Sequence, residues 1–201
     1  MKYSFLMPYI TSRIPQYRET LRTFDRFYFD RSDYEICLTM SDYCNPCVAF
    51  NQAALRAQGD FFILTSPECK HETNVLAGFD EELKKYNNNC YIVCACESIE
   101  SDGSKQWYQH SVYNNRQYHF CTCISKKNWM LAGGFCEFYK YGQGFDDDDW
   151  IERVRRTNIP IINRDDLLVA HQNHGKIHLS FEQTQINCNL YNLIWNKNRV
   201  V

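Results

Sequence analysis

The sequence predicts an α/β fold, a mostly parallel central sheet flanked by helices, as a single domain over residues 1–201. Three observations lead there. Short apolar, strand-like runs alternate with amphipathic helical segments through the first half, the pattern of parallel β-α units. Runs such as Phe61–Leu64 and Tyr91–Cys96 read as buried strands bounded by turn residues. The length of 201 residues, with 44% hydrophobic and 23% charged content, suits one domain with a full core.

The elements follow in order. Tyr3–Met7 is a first strand, closed by Pro8. Pro15 opens a helix that carries Tyr17, Leu21, Phe24 and Tyr28 on one face. Tyr34–Leu38 is a second strand. Val48–Gln58 is a helix stopped at Gly59, and Phe61–Leu64 is a third strand. Val75, Leu76, Phe79 and Leu83 mark another amphipathic helix, and Tyr91–Glu97 is a strand. Ser101–Asn115 is polar, aromatic and irregular, and reads as a long functional loop. Tyr118–Cys123 is a strand and Lys126–Leu131 a short helix before Gly133–Gly134. Asp147–Arg156 is a helix, acidic at its start and basic at its end, as the helix dipole prefers. Ile159–Ile162 and Leu167–Val169 are short strands, and Phe181–Trp195 is a closing helix.

The formal net charge of −2 argues against a general nucleic-acid binder, which needs a basic face. The apolar runs are too short for a membrane span, so no transmembrane segment is expected. The N-terminal apolar stretch is too short for a signal peptide. The eleven cysteines are odd in number and not spaced as a disulfide framework. Cys94 and Cys96, like Cys121 and Cys123, alternate within strand-like runs as small buried hydrophobes do. Cys44 and Cys47 form a CxxC without a second pair at zinc spacing. A reducing, cytoplasmic compartment follows, with a membrane surface reached only through partners.

Two stretches carry the chemistry. One is Asp146–Asp149, four aspartates at a helix start behind a glycine-rich turn, Gly142-Gln143-Gly144. Helix capping explains one or two aspartates. Four repel one another unless a cation or a proton transfer uses them. The other is Thr65-Ser66-Pro67-Glu68, where a strand ends in a rigid turn that carries a carboxylate; a plain surface turn is the alternative. In such sheets ligands bind beyond the carboxyl ends of the strands. His171 and His174 follow a short strand and are either metal ligands or surface polar groups. His119, inside a strand pattern, reads as a core or pocket histidine. Trp107 and His110 sit in the aromatic loop.

Taken together, these pieces resemble the nucleotide-sugar glycosyltransferases of the GT-A (Rossmann-like) fold, nearest to glycosyltransferase family 2. The resemblance spans roughly Tyr3 to His174. It rests on a strand–Pro–x–Arg start and on Asn51, Ala54, Ala57 and Gly59 in the N-x-x-A-x-x-A-x-G order. It rests further on Gly133-Gly134-Phe135, and on Gly144-Phe145-Asp146-Asp147-Asp148-Asp149 against the pattern G-[YWG]-E-D-x-D. The family's D-x-D is replaced by Ser66-Pro67-Glu68, which keeps only the last acidic position.

The resemblance implies a metal-dependent transfer of a hexose from a UDP-sugar to a hydroxyl of a glycan or similar acceptor, with inversion. It implies Asp147 as the catalytic base and Glu68 with His171 as ligands of Mn²⁺, or of Mg²⁺. Pro8, Tyr9, Arg13, Asp42, Asn51 and Ser66 would bind the nucleotide-sugar, with the base stacked on Tyr9. Trp107, His110, Gly134, Asp146 and Asp149 would face the donor or acceptor sugar. The chemistry needs a cation beside the departing diphosphate and a carboxylate beside the acceptor hydroxyl. A catalytically silent nucleotide- or sugar-binding module and a nucleotidyltransferase are the alternatives. A calcium site of EF-hand type is disfavoured, because its ligands alternate and these aspartates are consecutive.

Overall fold

Each strand of the central sheet sends alternate side chains into two separate apolar layers. On strand β1 (Tyr3–Tyr9), Tyr3, Phe5 and Met7 enter one cluster and Leu6 the other. On β3 (Phe61–Thr65), Phe61 and Ile63 oppose Phe62 and Leu64 in the same way. This is the period-2 consequence of a pleated strand covered on both faces, and it explains the unbroken apolar runs. The structure is a computed structural model that describes residues 1–41, 43, 45–174 and 180–201. Asp42 therefore lies outside the described residues.

The sheet order is β2 (Tyr34–Met40), β1, β3, β7 (Cys121–Ser125), β5 (Tyr91–Ile99), β8 (Ile161–His171) and β4 (Cys69–His71). A further strand, β6 (Lys105–Gln109), pairs with β5. Strands β2, β1, β3, β5 and β8 run in one direction; β7, β4 and β6 run against them. The sheet is thus mixed, with the parallel direction in the majority. Helices α1 (Ile14–Tyr28) and α3 (Val75–Lys85) pack on one face. Helices α2 (Cys47–Arg56), α4 (Lys126–Ala132), α5 (Asp146–Arg156) and α6 (Phe181–Trp195) cover the other.

Local chemistry sets the element ends. Asn74, Ser125 and Ser180 cap α3, α4 and α6 by accepting from the backbone N–H of Ala77, Asn128 and Gln183. Gly133 ends α4 at φ 83°, a left-handed cap that glycine adopts without a Cβ clash. Pro15 sits in the first turn of α1, where its missing N–H costs nothing.

Three segments differ from the expectation. Ser101–Asn115 is in part a hairpin: Gly103, at φ 82°, turns the chain so that β6 pairs with β5. The polar sequence of β6 hides it from a periodicity reading. Residues 118–120 are not strand, because Gln117 turns at φ 63° and the Tyr118 N–H donates to the Gln109 side chain. The two short strands after Ile159 are one strand, β8, whose partners on β5 jump from Arg164–Cys94 to Leu168–Ala95. The charged Arg164-Asp165-Asp166 sits at that irregularity, which is why the apolar pattern reads as broken.

The ten described cysteines form no disulfide, and nine of them are buried, as their strand positions imply. Among the described residues, no helix is long and apolar enough to cross a membrane.

Candidate active site

The carboxyl ends of β1, β3 and β8 and the start of β7 meet at one edge of the sheet. A cavity of about 450 Å³ opens there. It is lined by Pro8, Tyr9 and Arg13 after β1, by Ser66 and Glu68 after β3, by His171 at the end of β8, and by Asp147 in the first turn of α5. Seven of the residues to which the resemblance assigns a role thus share one concavity. A second cavity of about 700 Å³ adjoins it and shares Arg13, His171 and His174. Trp107 lines this second space together with Tyr108, Gln143, Asn114 and Gln172.

The Glu68 side is an ion pair. Arg13 Nε donates to Glu68 Oε1 at 2.7 Å, and both side chains are nearly buried. Thr20 holds the turn by donating its hydroxyl to the Pro67 carbonyl at 2.7 Å. His171 stands edge-on to the paired rings of Tyr108 and Phe120, at 5.5 and 6.0 Å, with His174 edge-on to it at 5.1 Å. Burial lowers its pKa to about 4, against the opposing pull of Glu68, so the neutral ring keeps a lone pair. A carboxylate and a neutral imidazole on one cavity wall fit a divalent cation whose remaining ligands come from diphosphate oxygens. Arg13 already shares Glu68, so any cation joins a site that holds one positive charge.

The α5 side is acidic, and its four aspartates have four different surroundings. Asp147 lines the cavity, with its Oδ1 2.7 Å from His119 Nδ1. The contact is out of line for a hydrogen bond, so it is an ion pair by distance alone. Asp146 lies behind it, buried, its pKa pushed up to about 7 by that burial and then by the charge of Asp147, with His119 opposing. Asp148 accepts from Arg199 at 2.6 Å and from the Tyr118 hydroxyl at 3.3 Å. Asp149 is fully buried and accepts from Arg153 Nε at 2.5 Å, Trp195 Nε1 at 2.8 Å and the Tyr139 hydroxyl at 3.5 Å. The structure therefore turns Asp149 into the core, away from both cavities.

The approach to this helix is strained in a useful place. Gly144 and Phe145 both take left-handed φ values, 67° and 63°. A bulky residue rarely does so, and its cost must be met by the surroundings. Asn45 and Asn187 donate to the Gly144 carbonyl at 3.2 and 2.8 Å, and Phe145 packs on Tyr191. Behind the helix, Trp150 packs at 4.8 Å on both Trp129 and Phe135, and donates to the Tyr91 hydroxyl at 3.0 Å.

Asn51 and Gly134 act one layer away from the cavity. Asn51 donates to the Phe135 carbonyl and accepts from its N–H, both at 2.9 Å, and so pins the turn. At Gly134, with φ 66°, a Cβ would meet Asn51 Oδ1 at 2.8 Å, which explains the glycine. His110 packs beneath Trp107 at 4.5 Å and lines neither cavity. The sequence reading missed the role of His119 beside Asp147, and that of Phe50, Phe120 and Tyr43 in the cavity wall. No local pattern announces these: Phe50 reads as an ordinary core residue of α2, and the others reach the site by a turn or a loop.

Among the described residues, the trio of ligand-type side chains whose donor atoms lie within 4.8 Å of one another is His119, Asp146 and Asp147. It has the donor types of a cation site. Its imidazole lies 2.7 Å from Asp147, whose charge raises the His119 pKa against burial, and burial pushes Asp146 toward its neutral form.

No protein-family model and no curated protein sequence matches the chain. Solved structures do. The S. aureus TarS fragment 1–349 in complex with UDP-GlcNAc superposes with a TM-score of 0.73 at 12% identity, over 96% of this chain and 66% of that one. The same fragment in complex with UDP gives 0.66 at 12% identity, over 86% and 61%. The catalytic domain of Drosophila β1,4-galactosyltransferase 7 in complex with xylobiose gives 0.66 at 12% identity, over 93% and 79%. The chain spans 60% to 66% of the TarS fragment's length. The chain thus shares the α/β fold of these proteins, a curled mixed sheet between helices.

Proposed function

We propose that this chain is a hexosyltransferase that moves a sugar from a UDP-sugar to a hydroxyl of a glycan or similar acceptor, with inversion, as one domain over residues 1–201. The observation that supports it best is that the Arg13–Glu68 ion pair and a carboxylate, Asp147, line one cavity, beside an adjoining aromatic, amide-lined cavity. Neighbours of the same fold have been solved with UDP-GlcNAc, UDP and xylobiose, which supports the same substrate classes here.

In this reading Tyr9 stacks on the base and Pro8 and Ser66 flank the nucleotide. Arg13 sets a positive charge beside the diphosphate. Glu68 and His171 would hold Mn²⁺ or Mg²⁺, which when bound withdraws charge from the leaving diphosphate. Trp107 offers an aromatic face to the acceptor sugar. As the acceptor oxygen bonds to the anomeric carbon, the bond from that carbon to the phosphate oxygen breaks, and its electron pair leaves on the diphosphate. Asp147 takes the acceptor's hydroxyl proton.

The test is thermal shift and calorimetry with UDP, GDP, CDP and TDP sugars, with Mn²⁺ or with EDTA, followed by assay of free UDP and product linkage. UDP-sugars should bind best, and only with the cation; Glu68→Ala should weaken that binding, and His171→Ala by a smaller factor. Equal affinity in EDTA would remove the metal from the reading. Binding without transfer would leave a nucleotide-sugar-binding module, and a covalent nucleotide product would make the chain a nucleotidyltransferase.

A further inference from the structure

His119 is an odd residue for its place. It lies nearly buried, edge-on to Phe50 at 4.9 Å and to Phe135 at 5.0 Å, where a phenylalanine would pack as well. Its Nδ1 has no in-line hydrogen-bond partner. A buried polar atom left so is costly unless a charge compensates it. The compensating charge is Asp147, whose Oδ1 is 2.7 Å away. Both side chains line the cavity.

We propose that His119 is the positioning residue of the base: it orients the Asp147 carboxylate toward the acceptor and carries its counter-charge, so the two work as one unit. The inference rests on the transfer reading above. When Asp147 takes the acceptor's proton, the imidazolium beside it makes the new carboxylic acid a better acid. The proton then passes to water, and the pair returns to its starting state with nothing else consumed.

The surroundings agree. Burial alone would depress the imidazolium, but the charge of Asp147, with Asp146 beyond it, leaves the His119 pKa raised. Among the described residues, other titratable and charged groups around the pair include Tyr91 on β5, Tyr108 on β6, Tyr118 and Arg116 before β7, Cys47 on α2 and Asp148 held by Arg199, with Arg13, Glu68, His171 and His174 lining the same cavity. Asp148 is already paired, so Asp146 and Asp147 are the carboxylates that act on the ring.

The experiment has two arms. The first follows the imidazole signals of ¹⁵N-histidine-labelled protein through a pH titration without nucleotide, in wild type and in Asp147→Asn. His119 should titrate above the ordinary histidine value and fall back in the variant. A titration below that value, or one indifferent to Asp147→Asn, overturns the proposal, as does selective broadening of His119 by Mn²⁺, which would make it a metal ligand. The second arm measures UDP release from UDP-GlcNAc by His119→Gln and the isosteric His119→Phe. In both, kcat should fall about tenfold with KM little changed, and the acid limb of kcat should move to higher pH, because Asp147 loses its cation. An acid limb that stays in place means a packing role only and sinks the idea. The first arm needs no turnover, so a pair that titrates as expected in a protein that releases no UDP separates failure of the transfer reading from failure of the pairing.

Discussion

Glu68 and Asp147 are both carboxylates at the rim of one cavity, yet their charges are handled in opposite ways. Glu68 is paired with Arg13, a permanent cation brought in from the segment after β1. Asp147 shares a single titratable cation, His119, with the buried Asp146. The cation of the first site is permanent, because a guanidinium does not deprotonate. The second is open: one proton more or less changes its charge. A cavity wall meant to sit beside a diphosphate gains from a fixed charge, whereas a wall meant to receive a proton gains from a group that can hold or release one. The comparison also separates Asp147 from Asp149, two residues on, which is tied to Arg153, Trp195 and Tyr139 inside the core.

The comparison is broken most sharply at Asp147. Asp147→Asn should lower transfer by about 10² to 10⁴ while leaving UDP affinity nearly unchanged, because shape is kept and basicity lost. Steady-state assay with calorimetry checks this. Near wild-type transfer in Asp147→Asn, with the loss appearing in Asp146→Asn or Asp148→Asn, would move the base to a neighbouring position.

The Arg13–Glu68 pair is tested by opening it. Arg13→Ala leaves Glu68 buried without its cation and should cost about 3 kcal/mol of stability in urea denaturation. Arg13→Met with Glu68→Leu should recover much of that loss, because removing both charges removes the desolvation cost with them. An additive double variant would mean that the two groups are independent.

Asp149→Ala should also cost about 3 kcal/mol, since it strips a buried acceptor from Arg153 and Trp195. The protein that remains folded should keep the wild-type pH profile of transfer. A changed profile would place Asp149 in the proton chemistry after all.

The smallest effect is on stability against pH. The folded Asp146 carboxyl is pushed up from 3.8 to about 7, so the fold holds a proton there that the unfolded chain has already lost. Stability from this group is complete below about pH 4 and is lost as pH rises through about 7. The raised His119 acts in the same direction. Thermal melts should therefore show wild type losing more stability between pH 5 and 8 than Asp146→Asn does. Equal slopes would mean that Asp146 ionises normally.

Much of the fold was legible in the chain because its signals are local. Alternating apolar runs, the proline opening α1, the glycine ending α4 and the acid-to-base gradient along α5 each act within a few residues. The strand-end turn carrying Glu68 and the aspartate run were visible for the same reason. Hairpin strand β6 was not visible, because its polar residues pair by backbone hydrogen bonds that need no apolar side chains. Nor was β8, whose charged centre interrupts its pattern while its pairing with β5 continues on both sides.

By itself, then, the sequence determined most of the strands and helices and which short stretches hold unusual charge, since periodicity, capping and like-charge crowding are short-range effects. Only the tertiary structure decided which carboxylate each charge became. It set Arg13 against Glu68 across 55 positions and His119 against Asp147, while it drew Asp149 into the core. Those outcomes depend on where a sheet edge brings distant turns together and on how much water is left around each group. Burial and long-range pairing set whether a carboxylate is a counter-ion, a base or a structural acceptor, and neither is encoded within reach of the residue itself.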